Sequence, residues 1–353
     1  GDEFLVVAPD AADFTAGDRL AVKISHAFDA PFQIHGQEIY CGCSIGLAFW
    51  PDDGEAADHL LRNADQAMYQ SKRNRGQRFL RYRAEMRGPT SGLLELESDL
   101  RRAVVEREFT LHFQPKVDVS TGTLVGAEAL IRWNHPGRGL VPPAEFIPLA
   151  EETGMIWEIG AWALRAATGR LAEWIAQDLP VGVVSVNLSP RQFQDPRLET
   201  LVREVIAETG VPPDRLELEL TESAMVADIE KAVAILRGLK AIGVKLSLDD
   251  FGTGYSSLSY LKQFPIDTLK IDRSFVQDIA HSRTDPAIVG TIVGLADSLG
   301  FSTVAEGVET AEQAEVLRRQ RCTRIQGFLV SRPLDRASFE RFVVDGGFVL
   351  EEA

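Results

Sequence analysis

The chain has 353 residues, of which 45% are hydrophobic and 25% are charged, proportions typical of an ordinary folded protein. Its formal net charge of −15 argues against a broad surface that binds a DNA or RNA polymer, because such surfaces depend on clustered Lys and Arg. No apolar run approaches the roughly 20 residues that span a bilayer, and the first residues lack the pattern of a secretion signal. We therefore expect a cytoplasmic chain without membrane contact of its own, and the sequence leaves open whether a sensor or membrane segment precedes it in a parent protein.

The N-terminal part of the chain has the alternating strand and helix patterns of a small α/β domain. Cys41 and Cys43 occupy alternate positions of an apolar run, so we expect buried strand thiols rather than a metal site. The predicted elements are a strand at 1–8, a helix at 16–28, a buried strand at 39–51, a helix at 56–76, and, after a turn-rich segment at 87–92, a helix at 93–109.

From Thr110 onward, short runs rich in β-branched residues alternate with helical segments. Eight such runs predict a TIM-type (β/α)8 barrel of parallel strands. An open doubly wound sheet, the alternative α/β fold, would carry a Gly-rich phosphate loop after its first strand, and the sequence has none. The predicted domains are 1–84, a linker with a helix at 85–108, and the barrel at 109–348. The predicted strands are 111–119, 124–133, 181–189, 216–223, 244–252, 268–275, 302–309 and 324–331.

Most of these strands end in a polar residue that an apolar core would not tolerate. In a parallel barrel the carboxyl ends of all strands meet on one face, where barrel enzymes have their active sites. A lone Glu at a strand end is more often a helix cap or half of an ion pair, but a set of such residues indicates a common cleft. The set comprises Gln114, Glu128, Asn187, Glu219, Asp249, Asp250, Lys270, Glu306 and Gln326.

Five carboxylates and an amide that point at one cleft would repel one another unless cations bind between them. An oxygen-rich site without His or Cys favours hard ions, Mg²⁺ or Mn²⁺. The adjacent Asp249 and Asp250 allow one carboxylate to bridge two ions, the arrangement used for in-line phosphoryl displacement. Lys270 then serves as a fixed positive charge beside the water or the phosphate, or else forms an ordinary ion pair with a barrel carboxylate.

With these motifs in place, the sequence resembles the EAL-domain phosphodiesterases of bacterial cyclic di-GMP signalling. The resemblance covers about residues 93–345, and its eight ordered motifs make it specific. The motifs are FQP with Gln114, EALIRW with Glu128, NLSPRQF with Asn187, ELTES with Glu219, LDDFGTGYSSL with Asp249 and Asp250, LKIDRSFV with Lys270, AEGVET with Glu306 and IQGF with Gln326.

The resemblance implies that cyclic di-GMP is hydrolysed to linear 5′-pGpG with two metal ions. Metal ligands would be Glu128, Asn187, Glu219 and the shared Asp249, with Asp250 on the second ion. The remaining catalytic roles would fall to Lys270 and Glu306, which would hold water, to Gln326, which would place the nucleophile, and to Glu222, which would brace the loop Phe251–Leu258. The substrate would contact Gln114, Leu130, Arg132, Asp272 and Phe328, with Arg132 on the non-scissile phosphate.

The first 84 residues resemble the C-terminal part of a GGDEF diguanylate cyclase domain. Asp2, Glu3 and Phe4 end its naming motif, and CSIGLAF and ADQAMYQSKRNRG follow in the usual order. The first half of that domain is absent from this chain, so we expect no cyclase activity from it. Whether the complete domain is a cyclase or a nucleotide sensor stays open.

Two other functions remain alternatives. A catalytically silent receptor would bind cyclic di-GMP and signal through a partner, although such relatives usually lack some metal ligands, and here all are present. A scaffold would use the N-terminal fragment and the helix at 93–109 to pair with another subunit. The family resemblance also implies a homodimer through the barrel, with the loop Phe251–Leu258 coupled to the interface.

Overall fold

The computed structural model describes residues 4–9, 14–28, 32–34, 37–39, 41–73, 78–83, 86, 90–226, 228–252, 258–282, 284–346 and 348. The chain divides into two compact units, Gly1–Ser98 and Asp99–Ala353. Among the described residues, none of the helices combines the length and the apolar character needed to cross a membrane.

The first unit contains the two predicted helices and two small sheets. Gly46 lets a helix approach a strand closely, since a Cβ at this position would lie 1.8 Å from the carbonyl oxygen of Ala64. The first sheet is antiparallel and pairs β1 (Phe32–Ile34) with β2 (Gln37–Ile39); the second is parallel and pairs β3 (Ile45–Leu47) with β4 (Phe79–Arg81). The helices are α1 (Phe14–His26) and α2 (Ala57–Arg73), and α3 (Thr90–Glu106) leads into the second unit.

Two strand predictions in this unit are wrong. Residues 4–9 form no strand, and Phe4 and Val7 are largely exposed. The predicted strand at 39–51 shrinks to β3, and Cys41 is exposed, so the expectation of buried thiols fails there. Gly42 lies in the segment 41–44, which forms no strand, and a glycine weakens strand propensity.

The second unit is a closed eight-stranded barrel, which confirms the predicted TIM-type fold and all eight predicted strands. A short additional strand at Gly139–Val141 pairs with the strand Leu124–His135 outside the closed ring, and it was not predicted. The strands are β5 (Phe109–Asp118), β6 (Leu124–His135), β7 (Gly139–Val141), β8 (Val183–Leu188), β9 (Leu216–Thr221), β10 (Lys245–Phe251), β11 (Thr268–Ile271), β12 (Ser302–Ala305) and β13 (Arg324–Ile325).

Helices surround the barrel and bury one face each against it. The longest, α5, packs Leu164, Leu171 and Trp174 into the core. Ser189 and Thr310 form capping boxes that define where two of the helices begin. The helices are α4 (Pro143–Thr153), α5 (Ile156–Ala176), α6 (Pro190–Phe193), α7 (Leu198–Thr209), α8 (Glu222–Val226), α9 (Ile229–Ile242), α10 (Leu258–Leu261), α11 (Arg273–Val276), α12 (Asp285–Leu299), α13 (Ala311–Arg319) and α14 (Arg336–Val344).

The expectation that all eight strands run parallel is wrong for the first one. Strand β5 pairs antiparallel with both β6 and β13, whereas the other neighbouring pairs in the ring are parallel. The reason is the short turn from Asp118 to Leu124, because a parallel pair would need a crossover of a dozen or more residues. Gln114 therefore lies in the middle of its strand, directly opposite Glu128, and not at a carboxyl end.

Candidate active site

Lys270 lies inside the barrel and is surrounded by carboxylates. It is 1% exposed. Its Nζ lies 2.5 Å from Oε2 of Glu219, 2.6 Å from Oε1 of Glu306 and 3.0 Å from Oδ2 of Asp249. Oε2 of Glu128 follows at 3.7 Å. Four acids from four different parts of the sequence thus converge on one ammonium group. The sequence predicted that these residues would meet in a common cleft.

Amide side chains hold Glu128 from the other side. Asn187 Nδ2 donates to Oε1 of Glu128 at 2.6 Å, and Gln326 Nε2 donates to Oε2 at 2.7 Å. Gln326 Nε2 also donates to Oε1 of Gln114 at 3.0 Å, and Gln114 Nε2 donates to the carbonyl oxygen of Ser331 at 3.1 Å. Oε1 of Gln326 is buried and has no hydrogen-bond partner among the described residues.

The adjacent pair Asp249 and Asp250 sits on a bulge of β10. Successive residues of a regular strand point to opposite faces, so two neighbouring acids would ordinarily diverge. The register between β10 and β11 shifts between Leu248 and Phe251, and Asp250 adopts a left-handed φ of 54°. As a result, one carboxylate oxygen each from Asp249, Asp250 and Glu306 lie within 4.8 Å of one another.

Burial and nearby charges give the acids of this cluster different pKa values. Burial raises the pKa of Asp249 to about 6 and that of Glu306 to about 8, although Lys270 opposes both shifts. Burial also acts to raise the pKa of Glu219, but the ammonium groups of Lys116 and Lys270 outweigh it and bring this pKa to about 2. Glu219 therefore stays ionised at neutral pH, whereas Glu306 favours its protonated form.

The donor set fits hard divalent cations. Oxygen atoms of Asp249, Asp250 and Glu306 are close enough to share an ion, and the buried Oε1 of Gln326 is an acceptor that still lacks a donor. Carboxylate and amide oxygens are the ligands that Mg²⁺ and Mn²⁺ prefer. The carboxylates of Glu128 and Glu219 also contact Lys270, but they are not among the three acids whose oxygens lie within 4.8 Å of one another.

Comparison with known proteins shows which family the chain belongs to. Residues 97–333 match the family model of the EAL domain, two thirds of the chain. The chain belongs to the EAL-domain family. Residues 1–78 match the model described as diguanylate cyclase, GGDEF domain, so a fragment of such a domain precedes the EAL domain.

Relatives carry both parts. The bifunctional diguanylate cyclase/cyclic di-GMP phosphodiesterase MucR of Pseudomonas aeruginosa is 42% identical over 336 residues, which are 95% of this chain and 49% of MucR. The cyclic di-GMP phosphodiesterase PdeR of Escherichia coli is 36% identical over 342 residues, 97% of this chain and 51% of PdeR. The chain thus spans about half the length of these curated relatives.

Solved structures support the fold of the EAL domain. The PaMucR phosphodiesterase in complex with c-di-GMP matches with a TM-score of 0.67 and 45% identity, over 70% of this chain and 99% of that chain. The FimX EAL domain of Pseudomonas aeruginosa bound to c-di-GMP matches with a TM-score of 0.62 and 25% identity, over 70% of this chain and 97% of that chain.

The residues expected to contact substrate lie along the same strands of the EAL domain. Leu130 and Arg132 follow Glu128 at alternate positions of β6, and hence on the same face of that strand. Arg132 is half-buried, which lowers its pKa, and its guanidinium donates to the carbonyl oxygen of Ile131 at 2.8 Å. The side chain of Gln114 belongs to the hydrogen-bond network around Glu128.

Asp272 and Phe328 lie two residues beyond Lys270 and Gln326. Oδ1 of Asp272 accepts a hydrogen bond from the backbone N–H of Ser274 at 3.0 Å and caps α11. Phe328 is 48% exposed, and the guanidinium of Arg332 lies 4.2 Å from the centre of its ring. Within the described residues, no hydrogen bond or ring contact joins Asp272 to Phe328, and a shared guanine pocket remains a prediction.

Glu222 is placed beside the loop that follows the acid pair. Its Oε2 accepts a hydrogen bond from the backbone N–H of Gly252 at 3.4 Å. Gly252 has a φ of +96°, and a Cβ there would meet the ring of Phe275 at 2.9 Å, so glycine is required at this point. The rest of the loop, residues 253–257, lies outside the described residues.

A second polar layer lies inside the EAL domain and was not predicted from the sequence. Each member stands two positions from a predicted site residue on the same strand, so the two-residue periodicity of β-strands was an available signal. Burial alone would lower the pKa of Lys116, but Glu219 and Glu217 raise it above its ordinary value. The layer consists of Lys116, Ser185, Glu217 and Thr268, all buried.

Proposed function

We propose that the EAL domain of this chain hydrolyses cyclic di-GMP to linear 5′-pGpG with two divalent cations, Mg²⁺ or Mn²⁺. The observation that carries the proposal is the convergence of Glu128, Glu219, Asp249 and Glu306 on Lys270, with Asp250 turned toward the same point by a bulge. The relatives named as cyclic di-GMP phosphodiesterases support the substrate and the reaction.

Within this proposal, the residues that would hold the cations are Glu128, Asn187, Glu219, Asp249 and Asp250, and Asp249 would be shared between them. Asn187 suits this role because its Nδ2 is committed to Glu128, which leaves Oδ1 for a cation. When bound, two such cations lower the pKa of the attacking water and neutralise charge that develops on the phosphate oxygens.

The other residues of the site then bind and orient. Lys270 and Glu306, in contact at 2.6 Å, would hold water at the second cation. The buried Oε1 of Gln326 accepts a hydrogen bond from the attacking water and so orients its lone pair toward phosphorus. Glu222 holds the start of the loop at Gly252.

Substrate recognition in this proposal uses the rim of the barrel. The Arg132 guanidinium pairs with the non-scissile phosphate, for which its planar array of donors is suited. Gln114 and Leu130 contact the ligand beside it, and Asp272 and Phe328 line the guanine pocket, where an exposed aromatic ring offers a stacking face.

Chromatography of cyclic di-GMP after incubation with and without divalent cation tests the proposal. We expect 5′-pGpG only with Mg²⁺ or Mn²⁺, and a loss of rate of about 100-fold or more in Glu128→Gln. Glu204→Gln, on the outer surface of α7, is the control and should retain the wild-type rate. Full activity of Glu128→Gln would contradict the proposal, and tight binding of cyclic di-GMP by calorimetry without product would favour the silent receptor.

The quaternary arrangement and the domain limits stay predictions. A homodimer through the barrel predicts that specific activity rises with protein concentration as light scattering detects dimers, and a flat profile would contradict it. The predicted domain limits are 1–84, 85–108 and 109–348, and the family matches cover 1–78 and 97–333.

A further inference from the structure

A second buried lysine lies beneath Lys270. Lys116 projects from β5, two residues after Gln114, and its side chain is 4% exposed. Its Nζ lies 2.5 Å from Oε1 of Glu219, 2.7 Å from Oγ of Ser185 and 3.6 Å from Oε2 of Glu217. A lysine is rarely buried this completely unless partners compensate its charge.

The two oxygens of Glu219 are divided between the two lysines. Oε1 contacts Lys116 at 2.5 Å, and Oε2 contacts Lys270 at 2.5 Å. Lys270 also touches Asp249 and Glu306, so Oε2 is the oxygen that faces the acid cluster. Oε1 points into the layer below, where Lys116 occupies it.

Lys116 is itself held in place by a network that spans four strands. Oε2 of Glu217 accepts a hydrogen bond from Ser185 Oγ at 2.7 Å, and its Oε1 accepts one from Thr268 Oγ1 at 2.7 Å. These residues come from β8, β9 and β11, and Lys116 comes from β5. A carboxylate held at one oxygen by such a network cannot rotate freely about its last torsion, which leaves the other oxygen at a fixed position.

We propose that Lys116 is a positioning residue for the metal site: it holds Oε1 of Glu219 and thereby presents Oε2 alone to a divalent cation. The proposal rests on the proposed function, because Glu219 is a metal ligand there. In the competing explanation, Lys116 only neutralises the buried Glu217. The two explanations differ in what happens when both members of the Lys116–Glu217 pair are made neutral.

The test is direct Mn²⁺ binding, followed by the electron paramagnetic resonance of free Mn²⁺, to the full chain and to the double variant Lys116→Met/Glu217→Gln. The double variant keeps the net charge of the barrel and an acceptor oxygen at residue 217. We expect Mn²⁺ affinity to fall by about 10- to 100-fold, the effect of removing an outer partner of a metal ligand. Equal affinity would overturn the role of Lys116.

A matched control removes a comparable pair away from the site. Lys240 and Asp267 form an ion pair at 2.8 Å that is one third exposed. The variant Lys240→Met/Asp267→Asn should bind Mn²⁺ within about twofold of wild type. If it lost affinity as strongly as the first variant, a general loss of rigidity would explain both, and the proposal would fail.

Lys116→Arg keeps the charge and is a second test of the proposal if the double variant does not fold. Its larger, planar head displaces Oε1 of Glu219, so Mn²⁺ affinity should again fall by about tenfold, and unchanged affinity would overturn the proposal. The binding assay contains no substrate. A wild-type chain that binds Mn²⁺ but leaves cyclic di-GMP intact therefore overturns the proposed function alone, and a wild-type chain without Mn²⁺ affinity overturns both.

Discussion

At the scale of single residues, Asp250 combines an unfavourable backbone with a functional position. Its φ of 54° lies in the left-handed region, which costs an L-residue about 1–2 kcal/mol, although Asp tolerates it better than most. The conformation turns its carboxylate toward Asp249 and Glu306, so that one oxygen of each of the three acids lies within 4.8 Å of the others. The strain thus accompanies a grouping of negative charge that only a bound cation makes favourable.

Substitutions of Asp250 should separate stability from activity. Asp250→Gly removes both the strain and the charge, so its free energy of unfolding should exceed that of Asp250→Ala by about 1 kcal/mol, because alanine keeps the left-handed strain. Both variants should lose most hydrolysis of cyclic di-GMP, since both lack the carboxylate. Urea denaturation and product chromatography measure the two effects, and an Asp250→Gly variant that is active would contradict the assigned role.

At the scale of elements, the β5–β6 hairpin decides how two site residues enter the barrel. Oδ1 of Asp118 accepts hydrogen bonds from the backbone N–H groups of Ser120 and Thr121, at 2.9 and 3.0 Å, and so closes the turn. The antiparallel β5 then brings Gln114 opposite Glu128 and places Lys116 below it.

Gly122 in this turn has a φ of 70°, so Gly122→Ala should lower the free energy of unfolding by about 1 kcal/mol or more. Gly169 is the control, because it lies within α5 with open space around it, and Gly169→Ala should raise the free energy of unfolding by about 0.5–1 kcal/mol. Urea titration measures both. Opposite signs are the expected result, and two changes of the same sign would contradict the role of the turn.

The sequence predicted the elements of the barrel better than their directions. Runs of β-branched residues located all eight strands, because each run is buried and bounded by turn residues. The antiparallel direction of β5 was not predicted, because the polar residues at the strand ends were assigned to one face on the assumption that all strands run parallel. The short Asp118–Leu124 connection was an available signal, since it is too short for a crossover. The bulge at Asp250 and the contacts of Lys116 depend on the register between strands, which a single sequence does not state.

At the scale of the whole molecule, an acidic barrel is balanced by few internal cations. Two buried lysines, Lys116 and Lys270, contact the acids of the site directly. When all six acids of the site are ionised, their negative charge exceeds that of the two lysines by four. Two divalent cations would supply these four positive charges. The acids are Glu128, Glu217, Glu219, Asp249, Asp250 and Glu306.

This balance predicts how pH acts on stability when divalent cations are removed by a chelator. Burial raises the pKa of Asp249 to about 6 and that of Glu306 to about 8, above the usual values of about 4, so the folded state binds more protons than the unfolded state between these limits. The stability due to these protons is complete below pH 4 and is lost as the pH rises through 6 and then 8. The midpoint of thermal unfolding should therefore fall by at least about 4 °C between pH 5.5 and pH 8.5.

Added Mg²⁺ should reverse this loss, because it replaces the protons and binds the ionised acids better. The rise in midpoint on adding Mg²⁺ should be larger at pH 8.5 than at pH 5.5, as differential scanning calorimetry can measure. Glu306→Gln removes the titration at about pH 8. In the presence of the chelator, its midpoint of thermal unfolding should therefore change less than that of wild type between pH 7 and pH 8.5. A larger Mg²⁺ effect at the lower pH would mean that protons and cations do not compete for Asp249 and Glu306, and the charge argument for two cations would then fail.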